Sequence, residues 1–162
     1  MITIGGTMED KAVNELWNKG VQMMGQGYSW AEATLQVLRE AQGLSPIPYQ
    51  WATAGYYGAI SSGKTICGIL FGGTVFLGYL LGRKEVDKPA IENTNRIQAI
   101  SAVNTLFKGF IERFGTSDCQ TLTNCDFSKQ EEVDRFMREE VYKDICFVQF
   151  EYILSYCMAQ QS

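Results

Sequence analysis

The sequence predicts an all-α fold: a single-domain helical bundle over residues 1–162 with a buried, glycine-rich central helix. Three observations predict it. Apolar residues recur at spacings of three and four through most of the chain, no segment alternates apolar and polar in the manner of a half-buried strand, and the stretch from Ile66 to Gly82 runs for 17 residues without a charge. A chain of 162 residues, 46% hydrophobic and 20% charged, fits one domain with a sizeable core.

From Asp10, the residues Val13, Leu16, Trp17, Val21 and Met24 fall on one helical face that stops at Gly25 or Gly27. Ser29 opens a second helix, with Glu32 three residues on as a capping box. Its apolar face runs through Ala31, Leu35, Leu38 and Ala41 to Gly43. Residues 44–50 hold two of the three prolines and read as a loop, and a short helix follows near residues 49–56. Gly55, Gly58, Ser61, Ser62 and Gly63 form a glycine-rich connection, after which Thr65 is placed to cap the long apolar helix to Gly82.

That apolar helix is short of the ~20 residues needed to cross a bilayer, so a buried soluble helix is favoured over a membrane span. Gly68, Gly72, Gly78 and Gly82 fall within an arc of about 120° and form a stripe that lets another helix approach closely. Residues 84–89 read as a charged turn. Ile97, Ile100, Val103, Leu106, Phe107 and Phe110 then mark an amphipathic helix over residues 91–114. Residues 115–128 are irregular, and two further helices are expected over 129–142 and 143–158.

Net charge of -4 disfavours a nucleic-acid partner. The N-terminal residues 1–10 lack a basic and apolar leader pattern, so a reducing cytoplasmic location is expected, with the five cysteines free, metal-bound or redox-active. Histidine is absent, which removes Ser-His-Asp and Cys-His catalysis, Cys/His zinc fingers and His-ligated haem. Metal or redox chemistry must run on sulfur or oxygen.

Residues 58–65, Gly-Ala-Ile-Ser-Ser-Gly-Lys-Thr, match the spacing of a phosphate-binding loop with Lys64 as the phosphate contact. The preceding residues 50–57 are not a branched aliphatic strand, and no later aliphatic run ends in the second magnesium-linked Asp. A glycine-rich connection into a helix is the simpler reading.

Several landmarks occur together: Ser-Trp-Ala-Glu-Ala-Thr-Leu at 29–35, the glycine loop, Cys67-Gly-Ile-Leu-Phe-Gly72 with Gly73 and Leu77-Gly78, Phe114-Gly-Thr-Ser-Asp-Cys119, and Cys146 before the last helix. In these the chain resembles the C-GCAxxG-C-C family of redox-active proteins, whose domain is also similar to part of split-Soret cytochromes. The resemblance implies a helical, cysteine-based redox or iron-sulfur protein, often of anaerobic bacteria, with no established reaction. Cys67, Cys119 and Cys146 stand at three of the four family cysteines. Trp30 replaces the first, and Ile69 replaces a usual alanine.

A four-thiolate cluster or single metal ion would therefore need a substitute ligand, for which Cys125 is the candidate. Cys157 would lie about 16 Å from Cys146 along one helix, too far to share a site. Two readings follow. In one, Cys67, Cys119 and Cys146 are the reactive or metal-binding residues of a redox protein served by a redox partner. In the other, the chain is a helical interaction or structural protein whose cysteine site has degenerated, with Trp30 filling the lost position. The apolar and aromatic helix faces also allow a homodimer.

Overall fold

The computed structural model describes residues 8–44, 51–82, 89–90 and 92–160. Among them the chain is helical, and the extended pairing is a single antiparallel bridge between Ile66 and Asp118. The expected loop at 44–50 and charged turn at 84–89 lie outside the described residues, apart from positions 44 and 89.

Helix α1 (Met8–Gly25) ends where Gly27 takes a left-handed φ of 94°. Helix α2 (Trp30–Ala41) starts in the expected capping box: the Glu32 amide donates to Ser29 Oγ at 3.3 Å, and the Ser29 amide donates to Glu32 Oε2 at 2.8 Å. Two orphan amides are thereby satisfied. Ala31, Ala33, Thr34, Leu35, Val37 and Leu38 are all buried, so α2 is covered on most of its circumference.

The short helices α3 (Trp51–Ala54) and α4 (Tyr56–Ile60) lead to α5 (Gly68–Gly82). Thr65 does not cap α5. The chain first spends residues 65–67 on the bridge to 117–119, and the first intrahelical bond runs from the Phe71 amide to the Cys67 carbonyl at 2.9 Å. Cys67 is therefore the cap residue of α5.

Helix α5 packs against α2, α6 and α10. The glycine stripe is used at one end. A Cβ at Gly72 would meet the Ala31 carbonyl oxygen at 2.7 Å and Thr34 Cβ at 2.8 Å, whereas Gly78 and Gly82 have nothing within 4 Å. Gly73, outside the expected stripe, receives α10 instead, with Ile153 Cγ2 2.8 Å from where its Cβ would stand. Close approach is thus confined to the first half of the helix, beside Cys67.

Helix α6 (Thr94–Phe114) is capped by Asn93, whose Oδ1 accepts the Arg96 amide at 2.8 Å, and ends at left-handed Gly115. Leu106 and Phe110 are buried as expected, but Ile97 and Ile100 are 53% and 52% exposed. In that first turn Ala99 takes the core position, which rotates both isoleucines outward.

The segment at 115–128 carries a short helix, α7 (Cys119–Thr123), capped by Asp118. The single helix expected over 129–142 is divided into α8 (Gln130–Arg138) and α9 (Val141–Asp144), because Glu140 adopts a left-handed φ of 52°. Helix α10 (Cys146–Ala159) completes the bundle against α1, α2 and α5.

Candidate functional site

The bridge is the foundation of the site. The Cys67 amide donates to the Ser117 carbonyl and the Cys119 amide to the Thr65 carbonyl, each at 2.8 Å. Cys67, which caps α5, and Cys119, the first residue of α7, thus flank the bridge on its two segments.

Cys67 is 4% exposed, and its Sγ donates to Oε1 of Gln149 at 3.3 Å. Gln149, itself 2% exposed, lies on α10 three residues after Cys146, so the two share a helix face. Burial pushes the Cys67 thiol up to about 11, against the opposing pull of the Leu70 and Ile69 backbone amides, which face the sulfur from the first turn of α5.

Burial also pushes Cys119 up to about 12, with Cys67, Asp118 and Cys125 adding to the rise. Cys146 is raised well above the ordinary range by burial and then by Cys67, Cys119 and Cys125. Each of these thiols therefore stands within electrostatic reach of the others, with no cation among the influences on the three of them. All are protonated at neutral pH.

Cys125 is fully buried beneath a surface stapled by charge. Burial raises its thiol and Arg135 opposes the rise. The Arg135 guanidinium donates to the Asn124 carbonyl, the Asp126 amide donates to Glu132 Oε2 at 2.7 Å, and Lys129 pairs with both Asp126 and Glu132 at 3.3 Å. Cys157 is elsewhere: burial alone raises it, and its sulfur packs 3.7 Å from where a Cβ of Gly73 would lie, between α10 and α5.

Trp30, at the first position of α2, lies against α10. Its ring centroid is 5.9 Å from that of Phe147 and 5.2 Å from that of Phe150, the residues that follow Cys146 and Gln149. Gly68 and Gly72 bring the start of α2 against the start of α5. The indole thus packs the start of α2 against the first turn of α10. Tyr56 stands on the Cys67 and Cys119 side: its ring stacks on Phe71 at 4.0 Å, its hydroxyl donates to the Ile66 carbonyl at 2.7 Å, and burial raises its pKa, with the two thiols adding to the rise.

The donor set is rich in sulfur, which suits soft metals. Among the described residues, however, no three His, Cys, Asp or Glu side chains are gathered closely enough to hold a metal ion. As placed, the thiols do not fit a mononuclear ion. The glycine segment at 58–65 likewise lacks the geometry of a phosphate cradle: its first three residues belong to helix α4 and no strand leads into it, and α5 begins three residues beyond Thr65. No described helix is long and apolar enough to cross a membrane.

Gln149 was not among the residues singled out by sequence. A signal for Gln149 exists in hindsight, since it is an uncharged polar residue in the apolar run Cys-Phe-Val-Gln-Phe at 146–150, on the face of Cys146. Tyr56 belongs to a set of aromatics, with Trp51, Tyr57, Tyr142 and Tyr152, that the sequence offers as pocket or core residues without assigning them chemistry.

A family model described as "Putative redox-active protein (C_GCAxxG_C_C)" matches residues 28–150. No curated protein and no solved structure matches the chain.

Proposed function

The chain belongs to the C-GCAxxG-C-C family, and we propose that it is a cysteine-based redox protein whose working sulfurs are Cys67, Cys119 and Cys146. The observation that carries this reading is one of placement: Cys67 and Cys119 flank the bridge that joins residues 65–67 to 117–119, and the Cys67 sulfur is hydrogen-bonded at 3.3 Å to Gln149, one turn along α10 from Cys146. Free cysteine otherwise serves commonly as a small buried apolar filler. Cys157, alone between α5 and α10, is such a filler.

In this function two of the thiols give up two electrons and two protons as an S–S bond closes, and a disulfide on a partner protein is reduced to two thiols by the same electrons and protons. Cys67, Cys119 and Cys146 are all free thiols in this structure. A thiolate-bound iron or zinc centre is not supported by the present spacing, and no step is routed through one.

The test is oxidation of the anaerobically purified chain with diamide, followed by peptide mass mapping and metal analysis. Loss of two hydrogens confined to peptides carrying Cys67, Cys119 or Cys146 is the expected result. Oxidation that leaves these residues as free thiols, with Cys67→Ser behaving as the parent, refutes the reading and favours a helical interaction protein with a degenerate site.

A further inference from the structure

We propose that Gln149 is the positioning residue for Cys67, and that the cleft beside it is the route by which a small disulfide reaches that sulfur. This deepens the redox reading above and names its first step.

The carboxamide stands between two things. On one side it holds the Cys67 sulfur at 3.3 Å. On the other it lines a cleft of about 430 Å³ whose walls include Phe114, Thr116, Leu122, Ile145 and Val148. Val148 is 41% exposed while Gln149 is 2% exposed, so the cleft runs from the surface at one residue to the buried amide at the next. A carboxamide suits that place because it serves both forms of the sulfur: its oxygen accepts from S–H, and its NH2, after a half turn, donates to S⁻.

Cys67 also caps a 15-residue helix, with the Ile69 and Leu70 amides directed at its sulfur. The backbone amides at the helix start oppose the rise that burial imposes on this thiol, and Gln149 joins them once its NH2 is turned to the sulfur. Neither Cys119, at the head of a five-residue helix, nor Cys146, beyond Gln149 on α10, has that combination among the described residues.

The step balances without a further oxidant. The Cys67 S–H bond and the incoming S–S bond break, Cys67 forms a new S–S bond to one sulfur, and the other leaves as a thiol carrying the proton. Cys67 is oxidised and the leaving sulfur is reduced.

The experiment treats the full chain with dithiodipyridine, a small neutral disulfide, following release of the thione by absorbance and locating adducts by peptide mass mapping. The expected first adduct is at Cys67. Gln149→Leu slows it about tenfold, the loss expected from one hydrogen bond to a charged sulfur, and moves the pH dependence of the rate upward. Val148→Trp, at the mouth, also slows it about tenfold on steric grounds but leaves the pH dependence in place. First modification at another cysteine, or parental rates at Cys67 in the variants, overturns the proposal. If Gln149→Leu does not fold, Val148→Trp at its exposed position decides the matter. Adducts in the expected order, with no two-hydrogen loss under diamide, defeat the redox function while leaving this route standing.

Discussion

The Sγ of Cys67 and the Oε1 of Gln149 meet at 3.3 Å although 82 residues separate them in the chain. The contact joins the start of α5 to the first turn of α10 and ties the thiol group to the packing of the bundle, so changes in packing, protonation and sequence around it have separable consequences.

The two ends of the glycine stripe should respond in opposite ways to alanine. Gly72→Ala drives a methyl group against the Ala31 carbonyl and Thr34 and should cost about 1–3 kcal/mol, since backbone on one side cannot yield. Gly78→Ala meets open space within an α-helix and should gain about 1 kcal/mol from helix propensity. Urea unfolding of both variants checks the pair, and equal effects would show that close approach at Gly72 is not what places α2.

Alkaline pH should destabilise the protein. A thiol raised in the folded state binds its proton more tightly there than in the unfolded chain, so its contribution is fully present below the ordinary thiol range and is lost as pH rises through the folded value. For Cys67 and Cys119 that window runs from about 9 to about 11 and about 12. Each contributes a slope of at most about 1.4 kcal/mol per pH unit within it. Unfolding free energy measured under reducing conditions should be flat from pH 7 to 8 and fall above 9, less steeply in Cys67→Ala than in the parent.

Trp30→Cys restores the family residue at the start of α2 but removes the ring that touches Phe147 and Phe150. A loss of about 2 kcal/mol is expected from a half-buried indole. Denaturant melts of the reduced variant measure it. A change below about 0.5 kcal/mol would mean that the indole's contacts with Phe147 and Phe150 do not contribute to stability.

Cys157→Ala should leave the oxidation pattern and the order of thiol modification as in the parent, because its sulfur lies between α5 and α10, apart from the other four. A small cavity cost of about 1 kcal/mol is expected. Altered modification at Cys67 in this variant would contradict the separation of the two regions.

Much of the fold was legible because it is local. The capping box at Ser29 and Glu32, the apolar run of α5 and the Leu106 and Phe110 face of α6 are each written within a turn or two of helix. Misreadings occurred where distant segments intervene. Thr65 has every local qualification for a cap, yet the pairing of residues 65–67 with 117–119 moves the start of α5 to Gly68. Ile97 and Ile100 continue the spacing of Leu106, and only the packing of Ala99 reveals that the first turn faces differently. At the site, cysteine positions could be marked from the chain alone, whereas Gln149 acquires its meaning only when α10 is laid beside α5.

The bridge at Ile66 and Asp118 also bears on how the protein is made. Its partners are separated by the whole of α5 and α6, so closing it carries a loop entropy that helical contacts between neighbours do not. During synthesis Cys67 leaves the ribosome well before Cys119 and Cys146, and each thiol lacks its shelter until the segments that follow have joined it. A nascent chain in oxidising surroundings is therefore open to mispaired disulfides, and yield of correctly folded protein should depend on keeping those early thiols reduced until the last helix has docked.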